Sequence, residues 1–231
     1  MTPLEILYRD AHYIAIDKPA GLAVHRTALF RDGPFVLQRL RDQIGQRLYP
    51  VHRLDRPTSG VLFFALSSEA ARALCDRFEA RQVQKRYLAV VRGHTDAAGV
   101  IDYALAEEKE GVRREAVSHY RRLATVELPI PVGRYPVARY SLVEVRPESG
   151  RMHQIRKHFK HIFHPLVGDT TYGEGRHNRL FREHFQLERL LLIARRLQFE
   201  HPFSGAPVEI EAPLGAEIND LFSRLGWSGA L

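Results

Sequence analysis

The chain has 231 residues, 45% of them apolar, and a formal net charge of +7 at pH 7. This length suits one domain, or one domain of two lobes, and the excess of cations favours a polyanionic partner such as nucleic acid. A single cysteine, Cys75, excludes an intramolecular disulfide and fits a reducing compartment. No uninterrupted run of about 18 apolar residues occurs, so we expect no membrane span and a cytoplasmic protein.

The first half of the chain alternates short apolar runs with one clear helical pattern. The predicted elements are a hairpin of Ile6–Tyr8 and Tyr13–Asp17, a helix within 35–48, a buried strand at Val61–Leu66 and a helix at 68–80. Ser67 or Ser68 can cap the last of these helices. Cys75 shares a face of that helix with Leu74 and Phe78, which predicts a small buried side chain rather than a nucleophile.

The second half continues with longer strands. The predicted strands are Arg86–Arg92, Val117–Thr125 and Arg139–Arg146. Ile155, Phe159 and Ile162 have the spacing of a helical core stripe. Residues 106–116 and 128–137 predict exposed connections, and residues 164–185 show little pattern. Because strands and helices alternate without a regular βαβ rhythm, we expect an α+β fold with a mixed, mostly antiparallel sheet and flanking helices.

The stretch His52–Gly60, with the sequence HRLDRPTSG, holds one carboxylate between two guanidinium groups. Asp55 follows Arg53 and precedes Arg56. Nearby cations favour the ionised form of a carboxylate at neutral pH, and an ionised carboxylate can act as a nucleophile or a base. It can also be half of a structural ion pair, which is the commoner role of such neighbours in a turn. The stretch alone leaves both roles open.

Two later segments combine cations with aromatic or apolar residues. They are Gln84–Gly93 (QKRYLAVVRG) and Ser149–His158 (SGRMHQIRKH). In content, order and spacing, these segments and the HRLD stretch resemble the RluA family of pseudouridine synthases. The similarity continues through Ile14–Gly21, His164–Asp169 and His201–Phe203.

The resemblance implies the pseudouridine synthase catalytic fold, as a single domain over residues 1–231. Because this similarity begins by about Leu4, we expect no separate N-terminal RNA-binding module. The implied reaction is an isomerisation that requires no cofactor and no metal, and the sequence agrees, since it has no P-loop, no dinucleotide-binding glycine motif and no cysteine pair. The target uridine must be flipped out of the RNA stack, at a cost of a few kcal/mol.

The resemblance also assigns roles to five residues. Asp55 matches the essential catalytic aspartate. Arg53 resembles the basic residue that helps to fill the space left by the flipped base, although a partner for Asp55 or a phosphate is as good a role. Tyr87 matches the active-site tyrosine, Ile155 part of the apolar pocket wall, and Arg156 the arginine that pairs with the catalytic carboxylate. The alternative for Tyr87 is an ordinary core position, and the alternative for Arg156 is an exposed position on a helix.

Several histidines lie near these motifs. His153, His158, His161 and His164 include spacings of three that can place imidazoles on one helical face. A metal site is nevertheless disfavoured, because the stretch is crowded with Arg and Lys and contains no HExxH motif. We expect His52 to position the turn rather than to take part in chemistry.

Three stretches indicate the RNA target within the family. Residues 41–46, His119–Glu127 and Gly133–Pro136 are most similar to the branch that modifies uridine 65 in the T-stem of tRNA. Two features depart from that pattern: Ile193 occupies a position where relatives commonly have histidine, and the 106–116 connection is short. A synthase acting on rRNA or a broader set of stem-loops, and a non-catalytic RNA-binding protein, therefore remain alternatives. We expect a monomer.

Overall fold

The computed structural model describes residues 2–26, 33–106 and 111–230. The strands are β1 (Ile6–Arg9), β2 (Tyr13–Lys18), β3 (Tyr49–Pro50), β4 (Ser59–Ala65), β5 (Gln84–Arg92), β6 (Ala98–Asp102), β7 (Leu105–Ala106), β8 (Arg113–Arg114), β9 (Val117–Leu128), β10 (Ala138–Pro147), β11 (Leu192–Glu200) and β12 (Pro207–Glu211). The helices are α1 (Val36–Ile44), α2 (Ser68–Glu79), α3 (Gln154–His161), α4 (Gly175–Phe185) and α5 (Ala216–Arg224). No helix in the described ranges is long and apolar enough to cross a membrane.

The chain folds as two compact units. Unit 1 takes the residues up to Lys85 together with Ile193–Pro213, and unit 2 takes Arg86–Leu192 and the residues from Leu214 onward. Among the described residues, the strand pairings within each unit are antiparallel except for the parallel pair β4–β11. The predicted α+β class with a mostly antiparallel sheet is confirmed, and the single catalytic domain stays a prediction.

Unit 1 is built on the strand order β1-β2-β4-β11, with β12 beside β11 and β3 beside β4. Its core contains Tyr13, Phe63 and Phe199 together with Ala70 and Leu74 of α2. The amphipathic pattern of 68–80 therefore produces a helix that buries one stripe against the sheet. As predicted, a serine caps this helix: the Ser67 hydroxyl accepts a hydrogen bond from the Ala70 amide, at 3.1 Å. Cys75 is only half-buried and packs at the margin of this core.

Gly60, the second residue of β4, is required by the close approach of β11. Its φ is +108°, a conformation that only glycine adopts without strain. A Cβ at this position would lie 2.3 Å from the Ala194 carbonyl oxygen. The parallel register places Gly60 opposite Ala194 and Ser59 opposite Ile193. Ile193 is therefore a buried strand residue, whatever its relatives carry there.

Unit 2 is built on the strand order β5-β10-β9-β6, and β7 and β8 form a separate pair. Residues Val143 and Val145 of β10 face Ile155 and Phe159 of α3 in one apolar cluster. The predicted core stripe of α3 is thus confirmed, and it holds the helix against the sheet.

The sequence did not predict two elements of unit 2. Residues 164–185 contain α4, whose buried residues Leu180 and Phe181 give too narrow an apolar stripe for a clear helical period. Within 106–116, residues 111–115 are exposed as expected, but β8 among them pairs with β7. The middle of that segment, 107–110, lies outside the described residues.

Candidate active site

Asp55 lies in a tight turn of unit 1 between β3 and β4. The Thr58 amide donates to the Asp55 carbonyl at 3.0 Å, which closes the turn. Leu54 and Thr58 are buried, whereas Asp55 itself is half-buried. The buried side chains of Leu54 and Thr58 therefore anchor the turn on either side of the half-buried Asp55.

The turn is bound to the end of β2 through main-chain oxygens. The buried Lys18 ammonium donates to the carbonyls of Pro19, at 2.8 Å, and Arg56, at 3.1 Å. The Arg56 carbonyl also accepts from the Gly21 amide at 2.9 Å, and the Arg56 side chain returns a bond from Nε to the Gly21 carbonyl. A fully buried lysine is uncommon and requires such partners. The sequence interpretation missed Lys18, although it lies in the quoted Ile14–Gly21 stretch.

His52 supports the start of the same turn. Its Nε2 accepts a hydrogen bond from the Phe63 amide of β4 at 2.9 Å, and its ring stacks on Phe78 of α2 at 5.0 Å. Burial, with a smaller contribution from the nearby Lys85 charge, lowers the pKa of His52 to about 3. Its partners are those of a neutral imidazole with a positioning role in this turn.

Arg53 differs from the other arginine in this motif. Its side chain is exposed, and no other described residue forms a hydrogen bond or ion pair with it. An ion pair with Asp55 as its sole role is therefore disfavoured. An exposed guanidinium within the motif is available to an anionic or aromatic ligand.

Tyr87 and Ile155 belong to one apolar region of unit 2. Tyr87 pairs with Val145 across the β5–β10 ladder, and its half-buried ring packs against the apolar cluster that includes Ile155. Ile155 is 6% exposed. The structure thus gives Tyr87 an apolar support.

The start of α3 is anchored by Gln154, which immediately precedes Ile155. Its side-chain oxygen accepts from the Ser149 hydroxyl at 2.7 Å and from the Arg151 amide at 3.1 Å. Its side-chain nitrogen donates to the Val117 carbonyl at 2.9 Å. The glutamine of the quoted SGRMHQIR sequence therefore joins the first turn of the helix to β9.

Arg156 is buried and bonded to a second carboxylate. Only 4% of its side chain is exposed, and its Nε and one terminal nitrogen donate to the two carboxylate oxygens of Asp169 at 2.7 and 2.8 Å. The Tyr172 ring lies 5.1 Å from the guanidinium carbon. An exposed helix arginine is therefore excluded. Asp169 was part of the quoted His164–Asp169 stretch, but nothing in the sequence pairs it with Arg156.

The Asp169 carboxylate is fixed in its ionised form. Burial on its own would raise the pKa of Asp169, but hydrogen bonds from Arg156 and from the Tyr172 and Thr171 amides lower it below the ordinary value. These two amides donate to one carboxylate oxygen at 3.0 and 2.9 Å. Main-chain donors therefore set the carboxylate orientation independently of the arginine.

The four histidines near α3 contact Tyr172, Arg92 and Tyr103. The Nδ1 atoms of His153 and His164 lie 3.0 Å from the Tyr172 hydroxyl and 2.7 Å from the Arg92 carbonyl. The His158 Nε2 atom bonds the Tyr103 carbonyl at 3.1 Å, and the His161 ring stacks on Tyr103. Within the described ranges, no cluster of three or more His, Cys, Asp or Glu side chains is placed to hold a metal ion.

Comparison with known proteins defines the class of this protein. Residues 12–161 match the family model described as RNA pseudouridylate synthase. The chain belongs to the RNA pseudouridylate synthase family. That span includes all five residues that the motifs singled out, and it ends at the last residue of α3.

Relatives in sequence share nearly the whole chain. A protein named tRNA pseudouridine synthase C from Pectobacterium carotovorum is 51% identical over all of this chain, which spans 64% of that relative's length. A protein of the same name from Vibrio cholerae is 48% identical over 99% of this chain and 98% of the relative.

Two solved human structures share the fold. The one titled Human RNA Pseudouridylate Synthase Domain Containing 4 matches with a TM-score of 0.75 at 25% identity, covering 96% of this chain and 93% of that chain. The one titled Human RNA Pseudouridylate Synthase Domain Containing 1 matches with a TM-score of 0.71 at 28% identity, covering 93% and 86%. The predicted pseudouridine synthase fold is confirmed.

Proposed function

We propose that this protein is an isomerase that converts uridine to pseudouridine in tRNA, at position 65 of the T-stem. The observation that carries the proposal is the near-full-length similarity to a relative named tRNA pseudouridine synthase C. The turn around Asp55 supports it, because a buried scaffold of main-chain bonds presents a half-buried carboxylate. The net charge of +7 suits a polyanionic substrate.

The reaction breaks the N1–C1′ bond of uridine and forms a C5–C1′ bond. C5 loses a proton and N1 gains one, so nothing enters or leaves overall and no cofactor is required. The catalytic group in this proposal is Asp55, which adds to the uracil ring, attacks C1′ or takes the 2′ proton. Each of these routes needs the ionised carboxylate.

Four further residues take part in binding the RNA in this proposal. Tyr87 places its ring against the uracil and offers its hydroxyl to the C5 proton, and Ile155 contributes to the apolar wall. Arg156 supplies a fixed cation, and Arg53 occupies the space that the base leaves in the stem. The packing of Tyr87 and Ile155 and the burial of Arg156 support preorganised roles, which is what catalysis by positioning requires.

The RNA stem itself is recognised through phosphate contacts and helix shape. Affinity for tRNA is then expected to fall steeply with salt, because phosphate contacts release counterions. We further propose that the protein acts in the cytoplasm as a monomer. Gel filtration coupled to light scattering, with and without tRNA, tests the oligomeric state.

The decisive experiment incubates purified protein with an unmodified tRNA transcript, without added metal, and maps the nucleosides afterwards. Pseudouridine at position 65, and none in a matched transcript with cytidine at that position, is the expected result. A fragment of rRNA serves as the competing substrate.

Other results point to the alternatives. Modification of the rRNA fragment alone would assign a ribosomal target. Salt-dependent binding of tRNA with no conversion of any uridine would favour a non-catalytic RNA-binding protein. If other tRNA uridines are modified and position 65 is not, the proposed reaction stands and the proposed target position is rejected.

A further inference from the structure

We propose that Asp169 is a positioning residue for the reaction, which acts by fixing the plane of the Arg156 guanidinium. The inference rests on the proposed function, in which Arg156 is a binding residue. Both oxygens of the Asp169 carboxylate accept from Arg156, at 2.7 and 2.8 Å. The two side chains are 0% and 4% exposed, whereas other Arg–carboxylate pairs of the described residues, such as Arg92–Glu174 and Arg195–Glu211, are partly exposed.

The bidentate geometry controls direction as well as charge. A guanidinium is planar and carries five N–H groups in a rigid fork. Once Nε and one terminal nitrogen are bonded to Asp169, rotation about the last side-chain torsion is blocked. The directions of the remaining N–H groups of Arg156 are fixed with it. A lysine at this position has no such plane to fix.

Asp169 is also held by hydrogen bonds from groups other than Arg156. One of its carboxylate oxygens accepts from the amides of Thr171 and Tyr172, at 2.9 and 3.0 Å. Its main-chain carbonyl accepts from the Asn178 side-chain nitrogen at 2.9 Å, while the Asn178 oxygen accepts from the Gly168 amide at 2.8 Å. The loop therefore presents a carboxylate of set orientation, and the arginine conforms to it.

The backbone of the loop, residues 168–173, is closely packed at two glycines. A Cβ at Gly168 would lie 1.9 Å from the Arg189 carbonyl oxygen, and a Cβ at Gly173 would lie 2.2 Å from the Asp169 carbonyl oxygen. Tyr172 adds a second constraint, since its ring lies against the guanidinium of Arg156. A closely packed loop of this kind is typical of residues that support a reactive site, because small displacements of such residues lower the reaction rate strongly.

The charge of Asp169 also matters. An arginine buried without a counter-charge carries a large desolvation penalty, and removing one partner of a buried pair is strongly destabilising. Asp169→Asn keeps the shape and one acceptor but removes the negative charge and loosens the plane. Structural damage and mispositioning must therefore be separated by experiment.

The test compares kcat and KM on the unmodified tRNA transcript for the wild type, Asp169→Asn, Arg156→Lys and the double variant. Asp169→Asn is expected to lower kcat by about 10- to 100-fold and to leave KM within about twofold. In the Arg156→Lys background, Asp169→Asn should have little further effect on kcat, because the plane it fixes is gone. Glu174→Gln, which changes the half-exposed partner of Arg92, is the matched control and should retain wild-type kcat.

The outcomes are distinct. An Asp169→Asn variant with wild-type kcat, or one whose loss multiplies with that of Arg156→Lys, would overturn the proposal. If Asp169→Asn does not fold, Asn178→Ala is the deciding variant, because it keeps the Asp169 carboxylate and removes the side chain that holds its loop. A several-fold loss of kcat that disappears in the Arg156→Lys background supports the proposal. An unchanged kcat rejects it. Failure of the wild type to modify tRNA would instead reject the proposed function.

Discussion

The turn around Asp55 in unit 1 and the helix α3 in unit 2 hold their functional side chains by different means. The turn is bound through main-chain carbonyls, a neutral imidazole and one buried ammonium, that of Lys18. The helix holds Arg156 through a second carboxylate, Asp169, which is itself fixed by main-chain amides. The contacts described for the first region bind the backbone of the turn, and those described for the second bind the guanidinium of Arg156.

This difference predicts different responses to substitution. A change of the Asp55 side chain leaves every hydrogen bond described for the turn in place, because those bonds use its main chain and its neighbours. A change at Arg156 or Asp169 alters the structure and the chemistry together, because the buried pair is part of the folded core and also of the proposed site. The main-chain bonds of the turn therefore survive a change at Asp55, whereas the Arg156–Asp169 pair does not survive a change at either residue.

Asp55→Asn should have the largest effect on activity. Loss of the ionised carboxylate is expected to reduce kcat on the tRNA transcript by on the order of 10⁴-fold or more, while the midpoint of thermal unfolding stays within a few degrees of the wild type. Quantification of pseudouridine in single-turnover reactions measures the first quantity and calorimetry the second. Asp42→Asn, an exposed change on α1, is the control. An Asp55→Asn variant that works at wild-type speed would remove the chemical basis of the proposed function.

Gly60→Ala should have the largest effect on stability. The added Cβ would meet the Ala194 carbonyl, and a non-glycine residue at φ +108° is strained, so a loss of about 3–5 kcal/mol in the free energy of unfolding is expected. Gly45→Ala is the matched control, because Gly45 also has a positive φ but no atom near its Cβ position. It should cost only about 1–2 kcal/mol. Equal losses in urea unfolding would show that the contact with β11 is not what requires glycine.

His52 tests whether the turn depends on a neutral imidazole. Its pKa is about 3 in the folded protein and near 6.5 when unfolded, so the unfolded state binds more protons between these values. The contribution of His52 to stability is complete above pH 6.5 and is lost as the pH falls toward 3, by up to about 1.4 kcal/mol per pH unit. His52→Gln keeps an acceptor for the Phe63 amide but cannot titrate, so its unfolding free energy should fall less steeply with acid.

Chemical denaturation at several pH values between 7 and 4 measures this difference in slope. The exposed His184, changed to glutamine, is the control and should follow the wild type. Identical slopes for the wild type and His52→Gln would mean that the imidazole is not held neutral in this turn.

The sequence predicted the parts of both regions that depend on local pattern. The HRLD stretch indicated a turn because it combines a proline and a glycine at the start of an apolar run, and the structure has that turn before β4. The stripe of Ile155 and Phe159 predicted α3 and its buried face. Short-range periodicity and turn chemistry are encoded in consecutive residues, so a single sequence reveals them.

The sequence did not predict contacts that depend on distant residues. Lys18 lies 38 positions from the carbonyl of Arg56 to which it donates, and Asp169 lies 13 positions from Arg156. Charged residues are usually exposed, so the burial of Lys18 and Arg156 ran against the ordinary expectation for their types. The helix α4 was missed because only Leu180 and Phe181 of its side chains are buried.

Arg156 is buried and paired, whereas Arg53 is exposed. If Arg53 fills the space left by the flipped base, Arg53→Gln should lower kcat several-fold and leave unchanged the slope of log Kd for tRNA against log salt. A residue that contacts phosphate would instead reduce that slope by about one. Arg72→Gln, an exposed change on α2, is the control for lost charge. Because Arg53 has no partner among the described residues to stabilise it, any loss of kcat in Arg53→Gln reports on the RNA complex. A reduced salt slope would instead assign Arg53 to phosphate binding and not to base flipping.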